Sequence, residues 1–304
     1  MPQTNARSSQ SFIAGISLAT AITVLIVLVG VPAQADETSN RIAANRIAAN
    51  RIAANRIAAN KLAARKLSEN RLEADSEAAK MFSTADGREV YSYIISCALP
   101  EGKEIDATVP GAPDTAPPDT LYTCANESCS FPGSLGLAEY WIDHRLDVKG
   151  QRWITACLLA RVNYFGVKVV ISLRGVAPQL LVGRHEAERY SLQEGAFYGN
   201  IFSDPDKPLD WNACRGKDAA SGEPGDLKLR VCTEPDPNDP THTRCGFNYA
   251  GDCGSYPASD TESKACNFFD SDGWYEGCLA GHAAGEGESA AKPYSEVITT
   301  YVKQ

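Results

Sequence analysis

Ten cysteines constrain this chain more than any other feature of its sequence. They form an even set, at Cys97, Cys124, Cys129, Cys157, Cys214, Cys232, Cys245, Cys253, Cys266 and Cys278. An even number of cysteines in an exported chain implies paired disulfides. Zinc is the alternative, but no Cys-x-x-Cys pair occurs, and the nearest mixed cluster is His242 with Cys245 and Cys253. We therefore predict that all ten cysteines are paired, with no zinc site and no cofactor.

The first 35 residues have the order of a secretory signal. Arg7 precedes an apolar stretch at residues 13–31, and the small-residue sequence Ala33-Gln34-Ala35 follows. This order predicts cleavage after Ala35 and a secreted, periplasmic or cell-surface location. An uncleaved anchor is the alternative, because an apolar run of this length can just span a membrane. Membrane contact is expected only in that case, and nucleic acid is not expected as a partner of an exported chain.

Residues 36–75 contain a five-residue repeat. Asn-Arg-Ile-Ala-Ala occurs four times in succession at residues 40–59, and three decayed copies follow. On an α-helix a step of five residues turns by about 140°, so the large apolar side chains spiral round the helix instead of forming one stripe. A pentapeptide β-coil has the same period, but it needs Asn or Asp directly before the apolar residue, where this chain has Arg. We predict a helical or disordered spacer that does not pack against the rest of the chain.

The charge of the chain is unevenly distributed. Residues 41–66 carry seven cations and no carboxylate, whereas the whole chain has a net charge of −9 at pH 7. The remainder is therefore strongly acidic. A basic stem below an acidic body is suited to contact with an envelope polymer, an anionic lipid surface or a partner protein, and a solvated linker is the alternative.

Hydrophobic periodicity predicts both helices and strands. One helix starts at Asp86, with Glu89 three residues on and Cys97 on its apolar face, and a second covers residues 151–165 and ends at Gly166. Five prolines predict a loop at residues 99–120. Predicted strands cover residues 167–173, 197–202 and 296–302. The predicted helices and strands do not alternate as βαβ units. Their order therefore predicts an α+β fold, with helices packed on a small, mainly antiparallel sheet.

The composition changes at Cys214. Six of the ten cysteines follow from there to Cys278, in a stretch rich in Gly, Pro, Asp and Ser. Such a stretch has little apolar area to bury and depends on its bridges. We therefore predict an α+β domain at residues 76–213 and a disulfide-rich lobe with a C-terminal strand at residues 214–304.

Two of the disulfides are predicted individually. Cys97 and Cys157 lie on the apolar faces of the two predicted helices, so burying these faces together brings their sulfurs within range. Cys124 and Cys129 lie in a polar loop that can turn back on itself. The crossed pairing, Cys97 with Cys129 and Cys124 with Cys157, is the alternative. The pairing of the six later cysteines stays open.

Catalytic templates fail when they are compared with the sequence. His185 begins a His-Glu-Ala-Glu-Arg segment that lacks the second histidine of a zinc-protease helix. Ser134 follows Gly133, but proline stands where a nucleophile elbow has its first glycine. Paired cysteines leave no thiol nucleophile. We therefore predict no catalytic residue.

Two weak binding sites are suggested in the later part of the chain. Asp270, Asp272 and Glu276 are calcium candidates, although an EF-hand loop needs other residues at the neighbouring positions and a structural turn is the alternative. A second group of residues lies near glycines and acids, as sugar-stacking platforms do, and would bind polysaccharide if exposed. These residues are Trp211, Trp274 and Tyr275.

Several segments resemble a known group of proteins. They are Tyr-Ile-Ile-Ser-Cys-Ala-Leu at residues 93–99, residues 151–163, Phe-Tyr-Gly-Asn-Ile-Phe at residues 197–202, and the late cysteine-rich stretch. Together with the repeat, they resemble uncharacterised exported, cysteine-rich bacterial proteins that carry five-residue repeats after the signal. The resemblance implies one architecture over most of the mature chain and brings no known activity with it.

The sequence favours a non-enzymatic secreted or cell-envelope protein with a structural or binding role. This expectation rests on the failed catalytic templates. The alternatives are an exported hydrolase whose residues converge only in three dimensions, and a polysaccharide-binding protein that uses exposed aromatic side chains.

Overall fold

A computed structural model of the chain describes most of the residues that follow the predicted signal. The described residues are 37–40, 42–43, 52, 55–69, 81–109, 111, 116, 120–166, 168–217, 230–254, 265–280 and 293–304. The predicted signal at residues 1–35 lies outside them. Within the described part, no helix is long and apolar enough to cross a membrane.

Four α-helices and fifteen strands make up the regular structure of the described residues. The helices are α1 (Arg56–Ala63), α2 (Ala85–Ala98), α3 (Val148–Ala160) and α4 (Arg184–Arg189). The strands are β1 (Glu37–Asn40), β2 (Ile42–Ala43), β3 (Glu104–Thr108), β4 (Thr123–Ala125), β5 (Ser128–Pro132), β6 (Val162–Asn163), β7 (Val169–Arg174), β8 (Leu192–Gly199), β9 (Trp211–Arg215), β10 (Pro235–Asp236), β11 (Asp239–Thr243), β12 (Asn248–Asp252), β13 (Cys266–Phe269), β14 (Tyr275–Cys278) and β15 (Ile298–Val302).

The largest sheet has eight strands in the order β1-β7-β15-β8-β9-β12-β11-β10. All neighbouring pairs in it are antiparallel except β12 with β9. The fold is therefore α+β and mainly antiparallel. The sheet is larger than the small one predicted, because strands on both sides of Cys214 join the same ladder.

Side-chain caps fix the starts of the two long helices. The Thr84 side chain accepts a hydrogen bond from Gly87 N at 3.0 Å before α2, and Asp147 accepts one from Gly150 N at 2.7 Å before α3. Helix α3 ends at Ala160, five residues before the predicted end. The chain leaves the helix there because residues 162 and 163 form β6, which pairs with β2.

The predicted strands are present with shifted bounds, and one strand lies where a loop is predicted. Within residues 99–120 the chain forms β3, which pairs with β5. In β3, the half-buried Ile105 and the buried Ala107 alternate with exposed polar residues, a pattern typical of a strand. Of the five prolines that favour a loop, Pro100 precedes this strand and the other four follow it.

The main core lies around α2, α3 and β8. A disulfide between Cys97 and Cys157 joins the two helices, with a Cα–Cα distance of 6.0 Å. Helix α3 contacts β8 and β15. The Thr155 hydroxyl accepts a hydrogen bond from Ile201 N at 3.1 Å, which ties α3 to the chain that follows β8.

The repeat differs from the predicted non-packing spacer. Ile52, Ala59 and Leu62 are buried in the main core, whereas Ile57 is 49% exposed. Ile57 follows the predicted spiral, but Ala58, Ala59 and Ala63 are buried together with Leu62 and complete an apolar face on this two-turn helix. Strands β1 and β2 also pair with β7 and β6. The remainder of the repeat, residues 41, 44–51, 53–54 and 70–75, lies outside the described residues.

Five disulfides pair all ten cysteines. Cys97 is bonded to Cys157 and Cys124 to Cys129, as predicted from the sequence. The remaining bonds are Cys214–Cys253, Cys232–Cys245 and Cys266–Cys278. The predicted domain boundary at 213/214 falls inside β9, and residues 33–304 form one compact unit.

Candidate functional site

A cleft of about 560 Å³ opens at the start of α3. Its apolar wall contains Leu137, Trp153, Val176, Ala177 and Pro178. Polar groups from Tyr140, Asp147, Lys149, Gln179, Ser295 and Glu296 complete it. A concave, largely apolar site with a few polar groups is the usual form of a ligand pocket.

Two side-chain hydrogen bonds fix the walls of the cleft. The segment after β7 turns at Pro178, the first residue of a 3₁₀ turn, and Gln179 Nε2 donates a hydrogen bond to Gly136 O at 3.1 Å. On the other wall, the Tyr140 hydroxyl donates to Asp147 Oδ1 at 2.6 Å. A Cβ at position 150 would collide with that hydroxyl, so Gly150 allows the approach.

The Tyr140–Asp147 pair has fixed protonation states at neutral pH. Burial, together with the hydrogen bond to Asp147, raises the pKa of Tyr140, so its hydroxyl remains a donor. Burial raises the pKa of Asp147, but hydrogen bonds from Tyr140 and Gly150 and the charge of Lys149 outweigh it and hold the pKa below its ordinary value. The pair therefore places an ionised carboxylate at the mouth of the cleft.

A second carboxylate, from Glu296, lines the cleft beside α3. Glu296 Oε2 is 3.7 Å from Arg152 Nη1, and the Arg152 guanidinium lies over the Tyr294 ring at 4.7 Å. The Glu296 side chain is nearly buried. The cleft thus combines an apolar floor with two carboxylates and the single ammonium of Lys149.

Two large exposed apolar side chains line this cleft, and two more lie near lining residues in the sequence. Tyr140 and Val176 line it, Val148 lies between two lining residues, and Leu181 follows the lining residue Gln179 by two positions. These are four of the seven large apolar residues that are exposed among the described residues. Grouped exposed apolar residues mark binding surfaces more often than scattered ones do.

The calcium candidates make hydrogen bonds within their own segment of the chain. Asp270 Oδ1 accepts a hydrogen bond from Asp272 N at 2.8 Å, and Glu276 Oε1 accepts one from Trp274 Nε1 at 2.8 Å. Among the described residues, the one group with the spacing of metal ligands is Cys214, Cys253 and Cys266, whose sulfurs are in disulfides. The acidic residues are therefore not brought together as a calcium site.

The predicted aromatic platform is wrong, because its residues are buried. Trp211, Trp274 and Tyr275 are 4%, 6% and 2% exposed. Tyr275 donates a hydrogen bond from its hydroxyl to Gln193 Oε1 at 2.8 Å, and Trp211 packs near the Phe247 ring. Neighbouring glycines and acids do not distinguish a core aromatic residue from an exposed one.

A histidine–carboxylate pair lies outside the cleft. Asp239 Oδ2 is 2.9 Å from His242 Nδ1, and the two side chains are 51% and 44% exposed on β11. The Thr241 hydroxyl contacts the same ring nitrogen at 3.0 Å. A catalytic relay has such a carboxylate contact, but it also needs the second ring nitrogen to face a nucleophile.

No protein-family model, curated protein or solved structure matches this chain. The geometry of the cleft therefore carries the functional argument.

Proposed function

We propose that the protein is a non-enzymatic secreted or cell-envelope protein that binds an apolar ligand group in the cleft at the start of α3. The observation that carries this proposal is a concave cleft lined by Leu137, Trp153, Ala177 and Pro178 together with the exposed side chains of Tyr140 and Val176. Five disulfides support a location outside the cytoplasm.

The polar groups of the cleft define the other end of the ligand. Asp147 and Glu296 accept hydrogen bonds, and Lys149 is the one cationic group in the lining. Asp147 already has two donors, from Tyr140 and Gly150, whereas a ligand donor can still reach its exposed side. The ligand class is therefore an apolar chain or ring that carries a hydrogen-bond donor.

Dye binding tests this proposal on the full mature chain. The probe is the uncharged apolar dye N-phenyl-1-naphthylamine, whose fluorescence rises in an apolar site. Replacing Val176→Asp should weaken dye binding by about tenfold or more, because a charge replaces apolar lining. Phe165→Asp is the matched control, since Phe165 is equally exposed but does not line the cleft. Equal loss in the two variants would contradict the proposal.

An exported hydrolase is the second candidate, and the Asp239–His242 pair is the observation that favours it. Its half-exposed position outside the cleft argues against catalysis, because water competes for each hydrogen bond there. A panel of ester, peptide and glycoside substrates tests it. Turnover that is abolished in His242→Ala and retained in Val176→Asp would favour the hydrolase over the binding protein.

A further inference from the structure

One arginine of the repeat is held by the loop that follows β8. Arg56 is 7% exposed, and its guanidinium donates to Lys207 O at 2.8 Å, Asp204 O at 2.6 Å and the Ser203 hydroxyl at 3.0 Å. A weaker contact reaches Pro208 O at 3.4 Å. Main-chain carbonyls in this arrangement select a long side chain with several donors. We refer to residues 202–208 as the arginine socket.

The next repeat unit contributes an asparagine to the same socket. Asn60 Nδ2 donates to Phe202 O at 2.6 Å. Nearby, Trp141 Nε1 donates to Arg65 O at 3.0 Å and Leu146 N to Ala63 O at 3.1 Å. The last two contacts use only the main chain of the repeat, so they do not depend on which unit is present.

The preceding repeat unit has the same residues at both positions that hydrogen-bond to the socket. If the array moves by five residues, Arg51 replaces Arg56 and Asn55 replaces Asn60. The buried alanines at 58, 59 and 63 are replaced by the alanines at 53, 54 and 58, and the buried Leu62 by Ile57. One leucine-to-isoleucine exchange is therefore the only change among these contacts, and such exchanges cost little.

Movement in the opposite direction does not preserve the contacts. It would place Lys61 where Arg56 lies and Arg65 where Asn60 lies. Lysine has no planar fork with which to reach several carbonyls at once. Because the downstream units have decayed, only an upstream segment can replace residues 56–60 in the socket.

We propose that the arginine socket is a recognition site for the segment Arg-Ile-Ala-Ala-Asn of the repeat, and that the upstream segment 51–55 of the same chain takes the place of residues 56–60 when their contacts are lost. The tethered units compete at high effective concentration, which favours them over the repeat of a second copy. The repeat can therefore gain or lose a unit while its contacts with the rest of the chain are kept.

A comparison of thermal midpoints in two arrays tests the proposal. The first array is native, and the second carries Arg46→Ala and Arg51→Ala, which removes the replacement arginines. Arg56→Ala should lower the midpoint by about 1–2 °C in the native array and by roughly 5 °C in the second, because only there do the carbonyls lose their donors. The Arg46→Ala, Arg51→Ala chain with Arg56 intact is the control and should melt like the wild type.

Amide hydrogen exchange shows directly which segment of the repeat occupies the socket. In Arg56→Ala with the native array, protection of the repeat helix should move five residues toward the N-terminus. Equal midpoint losses in both arrays, with protection that is lost and does not move, would overturn the proposal. A control chain that melts below the wild type would overturn it as well, because the upstream arginines would then already be in use.

Discussion

The two hydrophobic clusters of the described residues are held together by different means. The larger contains the apolar faces of α2 and α3, and α3 contacts β8 and β15 of the main sheet. The bridge Cys97–Cys157 joins the two helices, and the cysteines of Cys124–Cys129 and Cys232–Cys245 also lie in this cluster. The smaller has ten buried residues, of which Cys214, Cys253, Cys266 and Cys278 are four. Their two disulfides lie against each other, with Cys214 Sγ 3.7 Å from Cys266 Sγ.

The larger cluster carries the binding cleft, and the smaller cluster depends on its disulfides for stability, although one continuous sheet runs through both. Strand β8 contributes residues to both clusters, so the cysteine-rich lobe extends the sheet of the larger cluster. The cleft takes its apolar lining from Trp153 of α3 and from residues 137 and 176–178 beside it. We therefore expect the lobe to tolerate loss of a bridge locally, whereas damage to the larger cluster should unfold the cleft.

The largest effect is expected at the buried ion pair between Arg230 and Glu194. Arg230 Nε donates to Glu194 Oε2 at 2.8 Å with both side chains fully buried, and the Thr300 hydroxyl donates to the same oxygen at 2.7 Å. Arg230→Leu should lower the free energy of unfolding by about 3–5 kcal/mol, because it leaves a buried carboxylate unpaired. Urea unfolding measures this change.

A double substitution distinguishes the loss of charge pairing from the loss of packing. Combining Arg230→Met with Glu194→Leu removes both charges and should recover most of the lost free energy. If the double variant is no more stable than Arg230→Leu, then packing and not charge accounts for the loss.

The bridge of the larger cluster comes next. Replacing Cys97 and Cys157 by alanine opens a loop with a sequence separation of 60 residues. The chain-entropy model assigns such a loop about 4 kcal/mol. The unfolding midpoint in urea should fall accordingly, and dye binding in the cleft should weaken with it. Unchanged dye binding under native conditions would show that the cleft does not depend on this bridge.

The corresponding change in the lobe should be smaller and local. Cys266 and Cys278 close a separation of 12 residues between β13 and β14, which the same model assigns about 3 kcal/mol. Replacing both by alanine should expose β13 and β14 to limited proteolysis. Dye binding should stay at the wild-type level, and a tenfold loss would refute the separation of the two regions.

The smallest effect is expected at the cap of α3. Asp147→Ala should cost about 1 kcal/mol, because Gly150 N and the Tyr140 hydroxyl lose their acceptor. Since the folded pKa of Asp147 is lowered, its contribution is present above the unfolded pKa of about 4 and is lost as the pH falls through the folded value. The stability difference from the wild type should therefore be full at pH 7 and shrink below pH 4. A difference that stays constant down to about pH 2 would contradict this assignment.

Local signals in the sequence predict the parts of the fold that local physics decides. The apolar face that ends at Cys97 predicts α2 within about a turn, and the matching face at Cys157 predicts the bridge between α2 and α3. The packing of the repeat is missed because an argument from the isoleucines alone ignores the alanines beside them. The buried state of Trp211 depends on Phe247, 36 positions away, which no local pattern reveals.

The cleft is not predictable from any single segment. Its lining comes from residues 137–140, 147–153, 176–179 and 295–296, which the sheet and α3 bring together. One partial signal exists in the sequence, because Asp147 precedes a helix start with Gly150 three residues on. That signal predicts a cap, and only the approach of Tyr140 turns the cap into part of a site.

Native-state hydrogen exchange after limited reduction tests the central claim most directly. Mild dithiol treatment of the full mature chain, followed by exchange and mass spectrometry, compares the amides of β13 and β14 with those of α3 and β8. We predict that β13 and β14 lose protection first, while α3 and β8 retain it, since apolar packing holds them without the bridges of the smaller cluster. Simultaneous loss of protection in both regions would contradict the account.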